Sequence, residues 1–329
     1  RGGEGTSRAW PALRVVKKRH TGKSDSLNAV WPRSLAEVVV TIDADTVLEP
    51  GAVRAMRRAF AAEPALAAAC GVLTPRCAGT PSGRLFEAYQ AFEYLRAFLA
   101  RRAWMRTGAL LLVSGAFAAY RKKILAELGG YDRDSLVEDY DLIHRLHRRS
   151  CEAGRGWTVR VVGGARAVTD APATVRTFLK QRQRWFSGFL QTQFNNADMV
   201  GNRAYGPVGT VMLPIKAADT LQPLYGLVAF LTLLLFLASG RGVHPAILAV
   251  IAAKLAEDLA CPFVTVAAYY RWLGGRPTPG VWALSALATL TEPLGFQLLR
   301  HAGALVGWIG FLKGVNDWAP QRAAAGGTT

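Results

Sequence analysis

Cysteine is scarce and poorly placed for cross-linking: there are four in 329 residues, Cys70, Cys77, Cys151 and Cys261, with no CxxC pair among them. That excludes a disulfide framework and a thiolate zinc site, and it fits reduced thiols facing a cytoplasm. Acidic residues are also few, 23 Asp and Glu against 40 Lys and Arg, for a net charge of +17. Such a surplus suits phosphate-bearing ligands, an anionic membrane leaflet or nucleic acid. Nucleic acid is set aside as a partner, because no helix-turn-helix, RNP-like or zinc-finger pattern is present. No signal peptide and no internal repeat is visible, and the first residue is not Met.

What is present is unevenly distributed. Residues 1–205 carry 32 Lys and Arg against 18 Asp and Glu, whereas residues 206–315 carry 7 against 4. A basic front part and an apolar back part predict a catalytic or binding domain held at a membrane. Residues 221–239 contain no charge, and at about 1.5 Å per residue they are long enough for a bilayer core of roughly 30 Å. Residues 246–270 and 281–312 are further candidate spans, the last interrupted by Glu292, Pro293 and Arg300. About three membrane helices are therefore expected in 206–315, with buried core helices as the alternative. Lys254, Glu257 and Asp258 sit at i, i+3 and i+4, where they can neutralise one another. They read either as the lining of a polar passage or as interfacial charges on a helix kinked near Pro262. The tail 316–329 is low in complexity and expected to be disordered.

The front part alternates strand and helix patterns. Strands are expected at 13–17, 37–42, 65–73, 110–113 and 157–162. Helices are expected from Gly22 onward, after Pro50, over 84–106 and 121–128, after the loop beginning at Tyr131, and from Val175. The β-branched run EVVVTI reads as a strand buried in a parallel sheet. Such α/β sheets take ligands beyond the carboxyl ends of their strands.

Candidate chemistry gathers at those ends. Asp43 and Asp45 follow EVVVTI two apart, so both carboxylates can point the same way. Mg²⁺ takes such hard oxygen ligands together with substrate phosphates. Lys23 and Asn28 could add phosphate or base contacts, or be ordinary surface and helix residues. Glu138 and Asp139 begin a helix, where a carboxylate serves either as a general base or as a partner of the helix dipole. His144 and His147, among arginines, read as structural. Ser114 and Gly115 could admit a sugar close to the backbone, or form a plain turn. In QRQRW, Gln181, Arg184 and Trp185 share a helical face suited to a diphosphate and a sugar ring; the alternative is an interfacial anchor.

Taken in order, KSDSLN, DAD, EY, VSGAFAAYRK, GGYD, ED and QRQRW resemble the membrane-embedded family 2 glycosyltransferases, processive polysaccharide synthases of the poly-N-acetylglucosamine, hyaluronan and cellulose type. The resemblance covers residues 13 to about 200, and NDWAPQR is similar to the segment after the last membrane helix. It implies a GT-A (Rossmann-like, nucleotide-sugar-binding) domain over 1–200, incomplete at its N-terminus, followed by transmembrane helices. It also implies an inverting transfer from a UDP-sugar, UDP-GlcNAc being the expected donor, to a growing polysaccharide or to a glycolipid. Asp43 and Asp45 would hold Mg²⁺ or Mn²⁺, with Lys23, Asn28 and Arg184 also at the donor. Asp139 would be the base beside Glu138, and Ser114, Gly115, Gln181 and Trp185 would meet the acceptor. The implied setting is a bacterial plasma membrane, with the catalytic domain cytoplasmic and with lipid and an accessory subunit as further partners. Val137 stands where many members have Thr. A transferase making single additions and a silent nucleotide-sugar or lipid binder are the rival readings.

Overall fold

The computed structural model describes residues 3–239, 245–292 and 295–314. A hairpin of β1 (Gly3–Thr6) and β2 (Arg14–Lys17) forms a separate two-stranded sheet. The expected strand at 13–17 is therefore present but stands outside the main sheet. α1 (Lys23–Val30), β3 (Val38–Ile42), β4 (Thr46–Leu48), α2 (Ala52–Ala62) and β5 (Leu66–Arg76) follow. The long α3 (Pro81–Arg106) leads to β6 (Phe117–Arg121), α4 (Lys122–Glu127), α5 (Glu138–Glu152), β7 (Thr158–Asp170) and α6 (Val175–Asn195).

The five-stranded sheet has the order β3-β6-β5-β7-β4 and is mixed rather than parallel. Only β5 and β7 run parallel; the β3–β6, β5–β6 and β4–β7 pairs are antiparallel. β3 lies at the sheet edge, so its valines are half-buried and Ile42 is 43% exposed. That corrects the expectation of a strand enclosed on both sides. The strand expected at 110–113 is displaced to 117–121. Residues 109–111 are buried, but His147 Nε2 donates to the Leu110 carbonyl at 2.9 Å, and the Phe117 N–H turns back to the Ser114 carbonyl. The chain pairs in the sheet only after that turn.

Small residues let the layers close. Ala67, Ala68 and Ala69 of β5 and Ala118 and Ala119 of β6 are fully buried, with Met56 and Phe60 of α2 and Phe92 and Phe98 of α3 in the same core. Gly71 is the tightest point in the sheet. A Cβ there would stand 2.2 Å from Phe117 Cδ1 and 2.6 Å from the Ala165 carbonyl oxygen.

Four helices complete the described chain: α7 (Leu213–Ala238), α8 (Pro245–Trp272), α9 (Pro279–Thr291) and α10 (Phe296–Leu312). α10 lies on α6 along a glycine face. A Cβ on Gly303 would come within 2.5 Å of Arg182 Cβ, and one on Gly307 within 2.7 Å of Phe186 Cβ. The Ser187 hydroxyl donates to the Gly307 carbonyl at 2.8 Å. Among the described residues, no helix is long and apolar enough to cross a membrane. Lys216 and Asp219 enter the first part of α7, and the third expected span divides into α9 and α10, of 13 and 17 residues. Both are shorter than the roughly 20 residues a span needs. The side chains of Lys254 and Asp258, and the whole of NDWAPQR and the tail 316–329, lie outside the described residues.

Gly71→Ala is expected to destabilise the protein by about 1–3 kcal/mol, because a backbone oxygen and a packed ring must both move. Thermal unfolding of the purified variant checks this.

Candidate active site

A cavity of about 300 Å³ opens beyond the carboxyl end of β3. Asp43, the residue after β3, extends the ladder by one step through its N–H to the Ala116 carbonyl at 3.2 Å, and the Thr46 N–H closes a turn back onto it. The two carboxylates of the DAD motif then find separate partners. Asp43 Oδ1 lies 2.7 Å from Lys23 Nζ, and Asp45 Oδ1 accepts from the Thr169 hydroxyl at 3.3 Å. Lys23 is placed by Gly22, whose φ of 98° allows the abrupt entry into α1. Its ammonium also meets Glu138 Oε1 at 2.9 Å. Burial works against that charge, but Glu138, Asp43 and Asp139 outweigh it and raise the Lys23 pKa above its ordinary value. Lys23 is therefore a cation at neutral pH.

Asp139 sits in the first turn of α5, facing the turn before β6. The Gly115 N–H donates to its Oδ2 at 2.6 Å. A Cβ on Gly115 would stand 3.0 Å from that same oxygen, so the close approach depends on glycine. Burial, and then the charge of Glu138, push the Asp139 carboxyl above the usual carboxylate range; Lys23, the Gly115 N–H and Arg184 pull it partly back. A raised carboxyl pKa makes a better proton acceptor for a hydroxyl.

α6 forms a second wall. Arg184 Nη1 donates to the Leu136 carbonyl at 3.2 Å, tying the helix to the loop that leads into α5. Gly188 seats the same loop, since a Cβ there would lie 2.6 Å from Val137 Cγ2. Of the residues the sequence proposed, the structure brings Lys23, Asp43, Asp45, Ser114, Gly115, Glu138, Asp139, Arg184 and Trp185 to one cavity. Two lie elsewhere. Gln181 is buried and does not line the cavity, and its Oε1 has no hydrogen-bond partner. Asn28 clamps the Tyr131 backbone instead: its Nδ2 donates to the carbonyl at 2.7 Å, and its Oδ1 accepts from the N–H at 2.9 Å. Arg182 takes the place expected of Gln181, because Arg182, Trp185 and Phe189, at i, i+3 and i+7, form the stripe that faces the cavity.

The third wall is α3, which contributes Glu93, Tyr94, Phe98 and Arg101. Glu93 and Tyr94 are the EY of the motif series, and Phe98 was marked only as part of a helical pattern; Arg101, Thr169 and Asp170 were missed, since nothing local distinguishes them. His144 and His147 are structural. Their rings bond the Tyr140 and Leu110 carbonyls at 2.9 Å, and burial lowers both pKa values, that of His144 to about 4. Among the described residues, no group of three or more His, Cys, Asp or Glu is placed to hold a metal. Asp43 and Asp45 still offer two hard oxygen donors on the cavity wall, the donor set Mg²⁺ or Mn²⁺ takes when substrate phosphates complete its shell.

A family model described as glycosyl transferase family group 2 matches residues 38–251. The chain belongs to that family. Among relatives, the poly-β-1,6-N-acetyl-D-glucosamine synthase of Staphylococcus aureus strain COL is 27% identical over 175 residues, 53% of this chain and 40% of that protein. The corresponding synthase of Staphylococcus epidermidis is 29% identical over 168 residues, 51% of this chain and 38% of its own. This glycosyltransferase chain thus spans about two fifths of the length of these curated relatives. The mannosyltransferase PcManGT of Pyrobaculum calidifontis, solved with GDP-Man and Mn²⁺, aligns at a TM-score of 0.51 and 20% identity, covering 85% of this chain and 69% of that one. At that identity the likeness shows the fold, a GT-A-like glycosyltransferase fold with a mixed α/β sheet.

The raised pKa of Asp139 gives a stability prediction. An acid whose folded pKa exceeds its unfolded one binds more protons when folded, so it costs stability as pH rises through that interval. Asp139→Asn should therefore melt higher than the parent at pH 7, and the difference should shrink as pH falls toward about 4, the ordinary Asp range. Melting curves at several pH values read this directly.

Proposed function

We propose that this chain is the catalytic part of a membrane-associated synthase that transfers N-acetylglucosamine from UDP-GlcNAc, with inversion, to the end of a growing polysaccharide. The observation that carries the reading is Asp139, a buried carboxyl with a raised pKa, held by the Gly115 N–H in a cavity shared with Lys23, Arg184 and the Asp43–Asp45 pair. The similarity to poly-β-1,6-N-acetyl-D-glucosamine synthases supports the choice of sugar.

In this mechanism Asp139 removes the proton from an acceptor hydroxyl, and Glu138 and Lys23 keep the surrounding field in balance. The hydroxyl oxygen attacks the anomeric carbon as the opposite bond, from that carbon to the diphosphate oxygen, breaks. UDP leaves with the electron pair, the configuration inverts and the proton remains on Asp139. No covalent sugar–enzyme intermediate forms, because the carboxylate takes a proton instead of attacking carbon. Arg184 and Lys23 supply positive charge on the donor side, where charge develops on the leaving group. A Mg²⁺ or Mn²⁺ ion, held by Asp45 with Asp43, would supply Lewis-acid charge to the same diphosphate. Ser114 and Gly115 border the acceptor's terminal sugar, and the Trp185 indole offers an apolar plane for its ring.

The exposed apolar side chains of α7, among them Leu231 and Leu235 at 49% and 72%, support seating of the helical part in lipid. The basic front part suits the anionic cytoplasmic leaflet of a bacterial plasma membrane. On this reading the protein is multi-pass, its catalytic domain is cytoplasmic, and lipid, polysaccharide and an accessory subunit are its partners.

Membranes carrying the full-length protein are the material for the test, supplied with Mn²⁺ or Mg²⁺ and labelled UDP-sugars while UDP release and product length are followed. UDP-GlcNAc should give long product, and Asp139→Asn should lower turnover by on the order of a hundredfold or more. Chelation should abolish turnover, and added Mn²⁺ should restore it. UDP release with short product only would replace the elongating reading with single addition, and full activity in Asp139→Asn would remove the assigned base.

A further inference from the structure

Arg182 borders the cavity but is largely buried. Its Nη1 and Nη2 donate to Glu93 Oε1 and Oε2 at 2.8 and 2.7 Å, a two-pronged pair with side chains only 12% and 16% exposed. The guanidinium carbon lies 4.6 Å from the centroid of the Trp185 indole and 4.5 Å from that of the Phe178 ring. A planar cation gripped at its edge by a carboxylate and faced by two rings has its position and tilt fixed. The anchorage continues outward: Glu93 meets Arg300 at 3.9 Å, Arg300 meets Glu292 at 3.0 Å, and Glu292 meets Arg96 at 2.6 Å. Alternating charges thus join α3, α6 and α10 with Glu292, the residue after α9, and Gly303 packs directly beneath Arg182. Trp185, Arg182 and Phe189 also border an adjoining cavity of about 170 Å³, so the indole stands between two spaces.

We propose that Arg182, gripped by Glu93, is a positioning residue that sets the plane of the Trp185 indole and, through it, the binding of the acceptor saccharide. The inference rests on the sugar-transfer reading above for the identity of that ligand. Arg182 directs Nη1 and Nη2 at Glu93. Arg184, whose Nη1 donates to a backbone carbonyl, remains available to the donor. An indole left free to change rotamer must be immobilised again on each binding event, at about 0.5–1.5 kcal/mol per side chain. That range corresponds to a loss of roughly two- to tenfold in saccharide affinity.

The test uses full-length protein, a β-1,6-linked N-acetylglucosamine oligosaccharide as probe, its Kd by calorimetry, and acceptor and donor KM by UDP release. Arg182→Lys keeps the charge but loses the fork, and Glu93→Gln keeps the shape but loses the charge. Each should raise the saccharide Kd and acceptor KM about two- to tenfold while leaving the donor KM unchanged. Trp185→Ala should do at least as much, and adding Arg182→Lys to it should do nothing further, the non-additivity expected if Arg182 acts through Trp185. A general loss of fold would instead multiply with Trp185→Ala, and that result, like a raised donor KM with unchanged saccharide binding, would overturn the proposal. Wild-type protein that binds the saccharide with this cycle intact but turns over no UDP-sugar upholds the positioning role and overturns the function. Turnover with multiplying effects overturns the positioning alone, and absence of both binding and turnover overturns both.

Discussion

The ammonium of Lys23 is the contact on which the site depends. It meets Asp43 after β3 and Glu138 at the start of α5, and its charge also bears on Asp139. Three carboxylates in one partly buried space would repel one another without a cation between them. With it, two segments about a hundred residues apart in sequence are joined by a charge that burial alone would not tolerate. Asp139 is the member left without the ammonium as a direct partner. It is held by a backbone N–H instead; burial, and then the charge of Glu138, keep its pKa high against the pull of Lys23 and of that N–H.

A second constraint is the close approach of backbone at glycine. Gly115 lets the turn before β6 reach Asp139, Gly188 lets α6 reach the loop at Val137, and Gly303 and Gly307 let α10 reach α6. Each of these contacts lies at or just behind a wall of the cavity. The geometry of the chemistry therefore rests on residues that have no side-chain chemistry of their own. Val137 belongs with this set: its methyl groups fill the notch that Gly188 leaves.

The legible parts of this protein were those fixed by local rules. Period-3.6 patterns and glycine stops located α2, α3, α4 and α6 closely. The carboxylate pairs DAD and ED stood out by their placement after a strand and at a helix start, and the structure brings both to one cavity. The strand at 117–121 was misplaced because 110–113 is equally apolar, and a side chain from α5 decides which segment joins the ladder. Gln181 was assigned to the site from the helical face it shares with Arg184 and Trp185, and Asn28 from its place in the helix that begins at Lys23. The structure gives Asn28 a loop to hold and buries Gln181, while Arg182 lines the cavity.

Sequence by itself determined the family, through an ordered series of short motifs, and the division between a basic α/β part and an apolar helical part, through composition and periodicity. Those follow from composition, periodicity and short motifs, which act over a few residues at a time. Tertiary structure alone decided the mixed strand order, the exposure of the β3 edge, the division of the last apolar stretch into α9 and α10, and the identity of the third wall. It also decided that Arg182, and not Gln181, faces the cavity. Each of these depends on contacts between segments far apart in the chain, where Glu93 meets Arg182 and Gly115 meets Asp139, and no local pattern encodes the distance between them.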